Sequence, residues 1–247
     1  MNKRLFFECA YDGTAYSGWQ KQPNAETIQE TIESCLAKLF PKNEIETIGC
    51  GRTDAGVHAK QSFFHIDLPL IYSFDQLQYK LNNMLPSDIV IANIHEVQPE
   101  SHARFDAKKR SYEYFLHHKK LPFHFKYSLF FPRHLDVDKM NKGALYLIGK
   151  HDFTSFSKLH TDVNNNFCEV YTAAWKKVGD QLCFEISANR FLRNMVRAIV
   201  GTLLEVGLGN IPPEQVKKIM QLKDRQEAGF SVPAKGLFLK SVEYDYL

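Results

Sequence analysis

A chain of 247 residues can hold one large domain or two small ones, each with a substantial core. Its 44% apolar and 24% charged residues are ordinary for a soluble globular protein, and a net charge of +3 is too small to argue by itself for a polyanionic partner. Five isolated cysteines, at 9, 35, 50, 168 and 183, form no CxxC pair, so a reduced, cytoplasmic setting is expected rather than a disulfide framework.

Glu8 interrupts the apolar run Leu5-Phe6-Phe7 almost at once, so no export signal is expected. Residues 4–11 read as a strand. Residues 24–40 read as a helix, with Ile28, Ile32, Cys35, Leu36 and Leu39 on one face and Pro41 as its stop. Strands follow over 44–50 and 60–68, then a helix over 74–85 closed by Pro86, then a strand over 89–97. The order βαββαβ is that of a ferredoxin-like unit. It recurs as a strand at 111–118, a helix at 137–148 and a hairpin of 170–178 with 182–188 turning at Gly179-Asp180. An apolar helix at 191–206, a short helix at 213–222 and a strand at 237–244 complete it. Arg193, Arg197 and Glu205 in the most apolar stretch argue against a membrane span. The expected class is α+β: two ferredoxin-like units, 1–104 and 105–247, their sheets side by side with a cleft between them, where a substrate would sit.

Charge is distributed unevenly. Residues 102–133 carry eight Lys/Arg against Asp106 and Glu113, interleaved with Phe105, Tyr112, Tyr114, Phe115 and Phe123. Cations neutralise phosphates and aromatic rings stack on bases, so RNA binding is one reading of this stretch and a solvated basic strand and loop the other. Tyr112 and Tyr114 are expected on different faces of their strand, one of them free to stack on a base.

The segment Gly51-Arg52-Thr53-Asp54-Ala55-Gly56-Val57-His58 joins two strands of the first unit, and its two glycines suggest a tight loop. Asp54 there serves either an Asx-turn or chemistry. Arg52, two residues earlier, could hold a phosphate or the carboxylate. Arg197 stands in an apolar helix, forming with Arg193 and Gly201 a polar stripe, and a buried guanidinium needs an anion. That anion is either a core acid such as Glu185 or Glu205, or Asp54 across the cleft. A phosphate-loop likeness at 143–150 fails, because five residues separate the glycines and His151 replaces the Ser/Thr. Cys50 and His58 fit no usual zinc spacing, and no dinucleotide fingerprint is present, so cofactor-free chemistry is expected. A non-catalytic RNA-binding protein, or a metal-assisted hydrolase using Asp54 and His58, are the competing readings.

Residues 51–58 resemble the signature of the TruA family, tRNA pseudouridine synthase I. The likeness extends to Tyr11-Asp12-Gly13-Thr14, Gly18-Trp19-Gln20, His102-Ala103-Arg104-Phe105, Tyr112-Glu113-Tyr114 and Phe153-Thr154-Ser155-Phe156. It continues in Phe191-Leu192-Arg193-Asn194-Met195-Val196-Arg197 and Ala234-Lys235-Gly236-Leu237-Phe238-Leu239. The resemblance implies an isomerase that converts uridine to pseudouridine at positions 38 to 40 of the tRNA anticodon arm. It implies Asp54 as nucleophile, Arg197 as its ion-pair partner, Tyr112 stacked on the target base, Leu237 lining the pocket and Arg52 touching RNA. It also implies a homodimer without metal or cofactor. The sequence departs from the family at Asn164-Asn165-Asn166-Phe167-Cys168-Glu169, before the second hairpin, where an Arg-Thr pair is common, and at Ser111, where an Arg is common.

Overall fold

The computed structural model describes residues 2–158 and 165–247; Asn164 of the departure just noted lies outside them. One compact unit is Met1–Lys108 with Leu239–Leu247, and a second is Lys109–Phe238. The first runs β1 (Asn2–Tyr11), α1 (Ile28–Leu39), β2 (Ile48–Gly49), β3 (His58–Pro69), α2 (Phe74–Met84) and β4 (Ile89–Glu96). β1 lies between β4 and β3, β2 pairs with β3, and every pairing is antiparallel. Leu5, Phe6, Phe7 and Cys9 of β1 are fully buried, so both faces of this strand are covered. Phe7 stacks on Phe64 at 4.8 Å, while Phe6, pointing the other way, meets His65 at 5.6 Å and Tyr244 at 5.5 Å.

The second unit contains β5 (Lys109–His117), β6 (Leu129–Phe130), α3 (Val137–Leu145), β7 (Gly149–Asp152), β8 (Phe167–Val178), β9 (Gln181–Ala188), α4 (Met195–Gly207) and α5 (Gln215–Leu222). β10 (Leu237–Glu243) opens with two residues of this unit and continues in the first. The strands lie in the order β5-β9-β8-β7, all antiparallel, with β6 parallel to the end of β5. Gly179, at φ +56°, turns β8 into β9 as the hairpin pattern requires. α4 is apolar all round because it is enclosed all round: of its residues only Arg197 and Glu205 are not buried. Five cysteines are free and buried, and no helix among the described residues is long and apolar enough to cross a membrane.

Element edges differ from the expected ones for local reasons. α1 begins at Ile28, not 24, because Asn24 sits at φ +57° and the Thr27 hydroxyl caps the helix by accepting from Glu30 N at 3.3 Å. The strand expected over 44–50 shrinks to Ile48–Gly49. At Thr47 side chains replace a neighbouring strand: Gln29 Nε2 donates to the Thr47 carbonyl at 2.8 Å, and Glu33 accepts the Thr47 amide at 2.9 Å. α4 begins at Met195 because Asn194 is left-handed at φ +66°, which leaves Arg193 outside the helix and dissolves the expected stripe. The short strands β6 and β7 carry no readable period and were not expected.

Candidate active site

Residues 51–57 form the loop between β2 and β3 of the first unit. Its shape is imposed by the segment after β1. The Tyr11 hydroxyl meets Thr53 Oγ1 at 2.9 Å in a buried contact, Trp19 N donates to the Thr53 carbonyl at 3.2 Å, and Gly56 N donates to the Tyr16 carbonyl at 3.2 Å. The two segments approach so closely that side chains are excluded. A Cβ on Gly13 would strike the Val57 carbonyl, and one on Gly18 would strike the Thr53 carbonyl. Trp19, itself buried, closes over Gly49. Tyr16, whose proton is held by burial and by its 2.8 Å bond to Asp88, pins the outer end.

Within this frame the Asp54 carbonyl accepts from Val57 N at 3.1 Å, and Gly56 at φ +75° fills the third position of a tight turn. An Asx-turn would aim the Asp54 carboxylate at the amide two residues on, but that amide, Gly56 N, donates to Tyr16. Asp54 is half-buried and Arg52 is exposed. His58 Nδ1 lies 2.9 Å from Asp12 Oδ1 and 3.1 Å from Gly13 N, so this ring nitrogen faces the bracing segment. The hydrolase reading gains nothing from geometry: among the described residues, the group of three possible metal ligands is Glu113, Cys183 and Glu185, which contains neither Asp54 nor His58.

The second unit holds Tyr112, Arg197 and Leu237. Arg197 is half-buried on the first turn of α4, and its Nε donates to the Val232 carbonyl at 2.7 Å. Of the acids weighed as its partners, Glu185 lies 2.7 Å from Lys176 and Glu205 accepts from Asn210 at 2.6 Å. The strap 228–236 is clamped onto α4. A Cβ on Gly201 would strike the Phe230 carbonyl, and Thr202 Oγ1 both accepts from Gly229 N at 2.8 Å and donates to the Ala198 carbonyl at 2.9 Å. Asn194 Nδ2 and Arg225 share Ser231 Oγ at 2.6 and 2.8 Å. The strap then delivers buried Leu237 into β10.

The expectation for the two tyrosines fails. Two residues apart on β5, they point to one face, as the strand period demands. They differ instead in depth. Tyr114 is fully buried and donates to the Pro233 carbonyl at 3.0 Å, whereas Tyr112, nearer the strand's start, is half-exposed with its ring edge-on to Phe191 at 5.1 Å.

The bracing residues Tyr11, Tyr16, Trp19 and Asp88 were absent from the candidate set drawn from residue chemistry. The signal that could have found them is the pair of glycines, 13 and 18, set among aromatic residues as the loop's own glycines are set among polar ones.

The α+β architecture is that of the pseudouridine synthases. A sequence model described as tRNA pseudouridine synthase matches residues 9–106 and 144–245, and the chain belongs to that family. It is 48% identical to a Bacteroides fragilis protein named tRNA pseudouridine synthase A, over 98% of this chain and 96% of the relative. A Bacillus subtilis protein of the same name is 41% identical over 98% of this chain and 99% of its own length.

Proposed function

We propose that this protein isomerises uridine to pseudouridine at positions 38, 39 and 40 in the anticodon arm of tRNA, with Asp54 as nucleophile and no cofactor. The carrying observation is the braced turn at 54–57, in which Gly56 N donates to the Tyr16 carbonyl and Val57 N to the Asp54 carbonyl, so that main-chain bonds set the position of Asp54. The reaction breaks the N1–C1′ bond and forms a C5–C1′ bond. N1 gains a proton, C5 loses one, and nothing is oxidised. The target base leaves the stack first. Tyr112 stacks on it, Leu237 gives it an apolar wall, and Arg52 holds the RNA backbone. A carboxylate attacks the sugar or the base, or withdraws a proton; each route uses Asp54 in its ionised form. Arg197 is the cation that pairs with it and fixes its direction. The protein works in the cytoplasm as a homodimer, which sedimentation equilibrium would check.

Asp54→Asn keeps the shape and removes the nucleophile. Tritium release from tRNA labelled at uridine C5 should fall at least about 1000-fold, with tRNA affinity unchanged. Near-normal release would overturn the assignment, and wild-type activity abolished by a chelator would favour the hydrolase reading.

A further inference from the structure

From Tyr114 to Leu135 the chain has no Asp or Glu, yet it carries Lys119, Lys120, Lys126 and Arg133. In the middle of this stretch a short 3-10 turn, Pro122–His124, holds Phe123 with 95% of its surface exposed. Phe125 and Tyr127 beside it are exposed as well. A single exposed apolar side chain is ordinary, but three aromatic rings within five residues are not.

The turn that presents Phe123 is pinned. His124 N donates to the Leu121 carbonyl and Tyr127 N to the His124 carbonyl, both at 3.1 Å. Ser128 Oγ donates to the His124 carbonyl at 2.8 Å and meets Nδ1 of fully buried His117 at 2.7 Å. Pro122 fixes the first backbone angle. Cations are gathered on the rings: Lys235 Nζ lies 4.7 Å over Phe125 and donates to its carbonyl at 2.9 Å, and Lys126 Nζ lies 5.2 Å over Tyr127.

We infer that Phe123, with Lys119, Lys120 and Lys126, forms a knob that grips RNA: the ring stacks on an unpaired base and the ammonium groups neutralise the phosphates on either side. The inference rests on the reading that the protein acts on tRNA. A protein partner would match a rim of mixed charge, whereas a stretch free of carboxylates suits a phosphate backbone. A ring that offers only a π-face accepts any base, so the contact gives affinity rather than sequence preference.

The experiment measures Kd for an unmodified tRNA transcript by filter binding, and the single-turnover rate at saturating protein. Phe123→Ala should weaken binding about 5- to 20-fold and leave the saturated rate unchanged, and Phe123→Trp should restore affinity. Replacing Lys119, Lys120 and Lys126 together by Gln should flatten the slope of log Kd against log salt by about 2 to 3. An unchanged Kd in Phe123→Ala, with the melting temperature preserved, overturns the inference. So does a loss of self-association without loss of RNA affinity, which would assign the knob to a second copy of the chain. The reading of the activity fails separately: it falls if wild-type protein forms no pseudouridine, whatever Phe123 does to binding.

Discussion

Asp54 depends on residues that have no chemistry of their own. Gly18 is left-handed at φ +96° and faces the Thr53 carbonyl at a distance that excludes a Cβ. Gly18→Ala should therefore cost about 2–4 kcal/mol, combining backbone strain with displacement of the loop. Thermal melting would show it, and turnover per folded molecule should fall with it. If the melting temperature were unchanged, the bracing described for 13–19 would be wrong. Arg197→Met tests the other unit: turnover should drop by about 100-fold or more while tRNA affinity stays within a few-fold. A collapsed melting temperature with normal turnover per folded molecule would make Arg197 a structural tie to Val232 instead. The sequence exposed Asp54 and Arg197 as candidates because a lone carboxylate in a glycine loop and a lone cation in an apolar helix are visible in one dimension. For Tyr11 and Trp19 the glycines beside them are the one mark in the sequence, and the role itself is hidden because their shared partner, Thr53, lies far along the chain.

At the level of elements, what was legible was periodic. The apolar faces of α1, α2 and α4 and the β8–β9 hairpin follow from spacing, and the family named from the motifs is the one the relatives show. What was illegible was decided by single residues. A left-handed Asn194 moves the start of α4 by a full turn, and two side chains at Thr47 dissolve most of a strand. The strap 228–236 is the clearest case, because its regularity lies in bonds to α4 and not in itself. Thr202, almost fully buried, carries one of those bonds by accepting from Gly229 N, and donates within α4 to the Ala198 carbonyl. Thr202→Val keeps the volume but leaves the Gly229 amide without this acceptor, at a cost of about 1–3 kcal/mol. Denaturant melts should register that loss, and turnover should fall as Val232, the carbonyl partner of Arg197, loosens. Unchanged stability would mean that the strap is held by packing alone.

For the molecule as a whole, acid sensitivity has an identifiable source. Burial, and then the nearby Arg4 cation, push the His65 imidazole down to about 4, and its Nδ1 accepts the Ala103 amide at 3.1 Å. The folded state holds this ring neutral while an unfolded chain protonates it near pH 6.5. Its contribution is therefore complete above about 6.5 and is lost as pH falls from there toward 4. His65→Gln should flatten the dependence of melting temperature on pH across that window; an unaltered slope would place the acid sensitivity elsewhere. His65 belongs to a core that Phe6 and Phe63 share with Tyr244, whose hydroxyl donates to the Ala103 carbonyl at 2.6 Å. Tyr244 lies in the segment Leu239–Leu247, which the chain reaches only after Lys109–Phe238. Domains usually fold in the order in which they leave the ribosome. Here the unit bearing Asp54 is the earlier one made, yet the ring that covers Phe6 from Tyr244 is made only after the whole of the other unit. A released chain truncated before residue 239 should thus hold a protease-resistant second unit beside an unfinished first one, and Asp54 would gain its finished surroundings only once residues 239–247 are present.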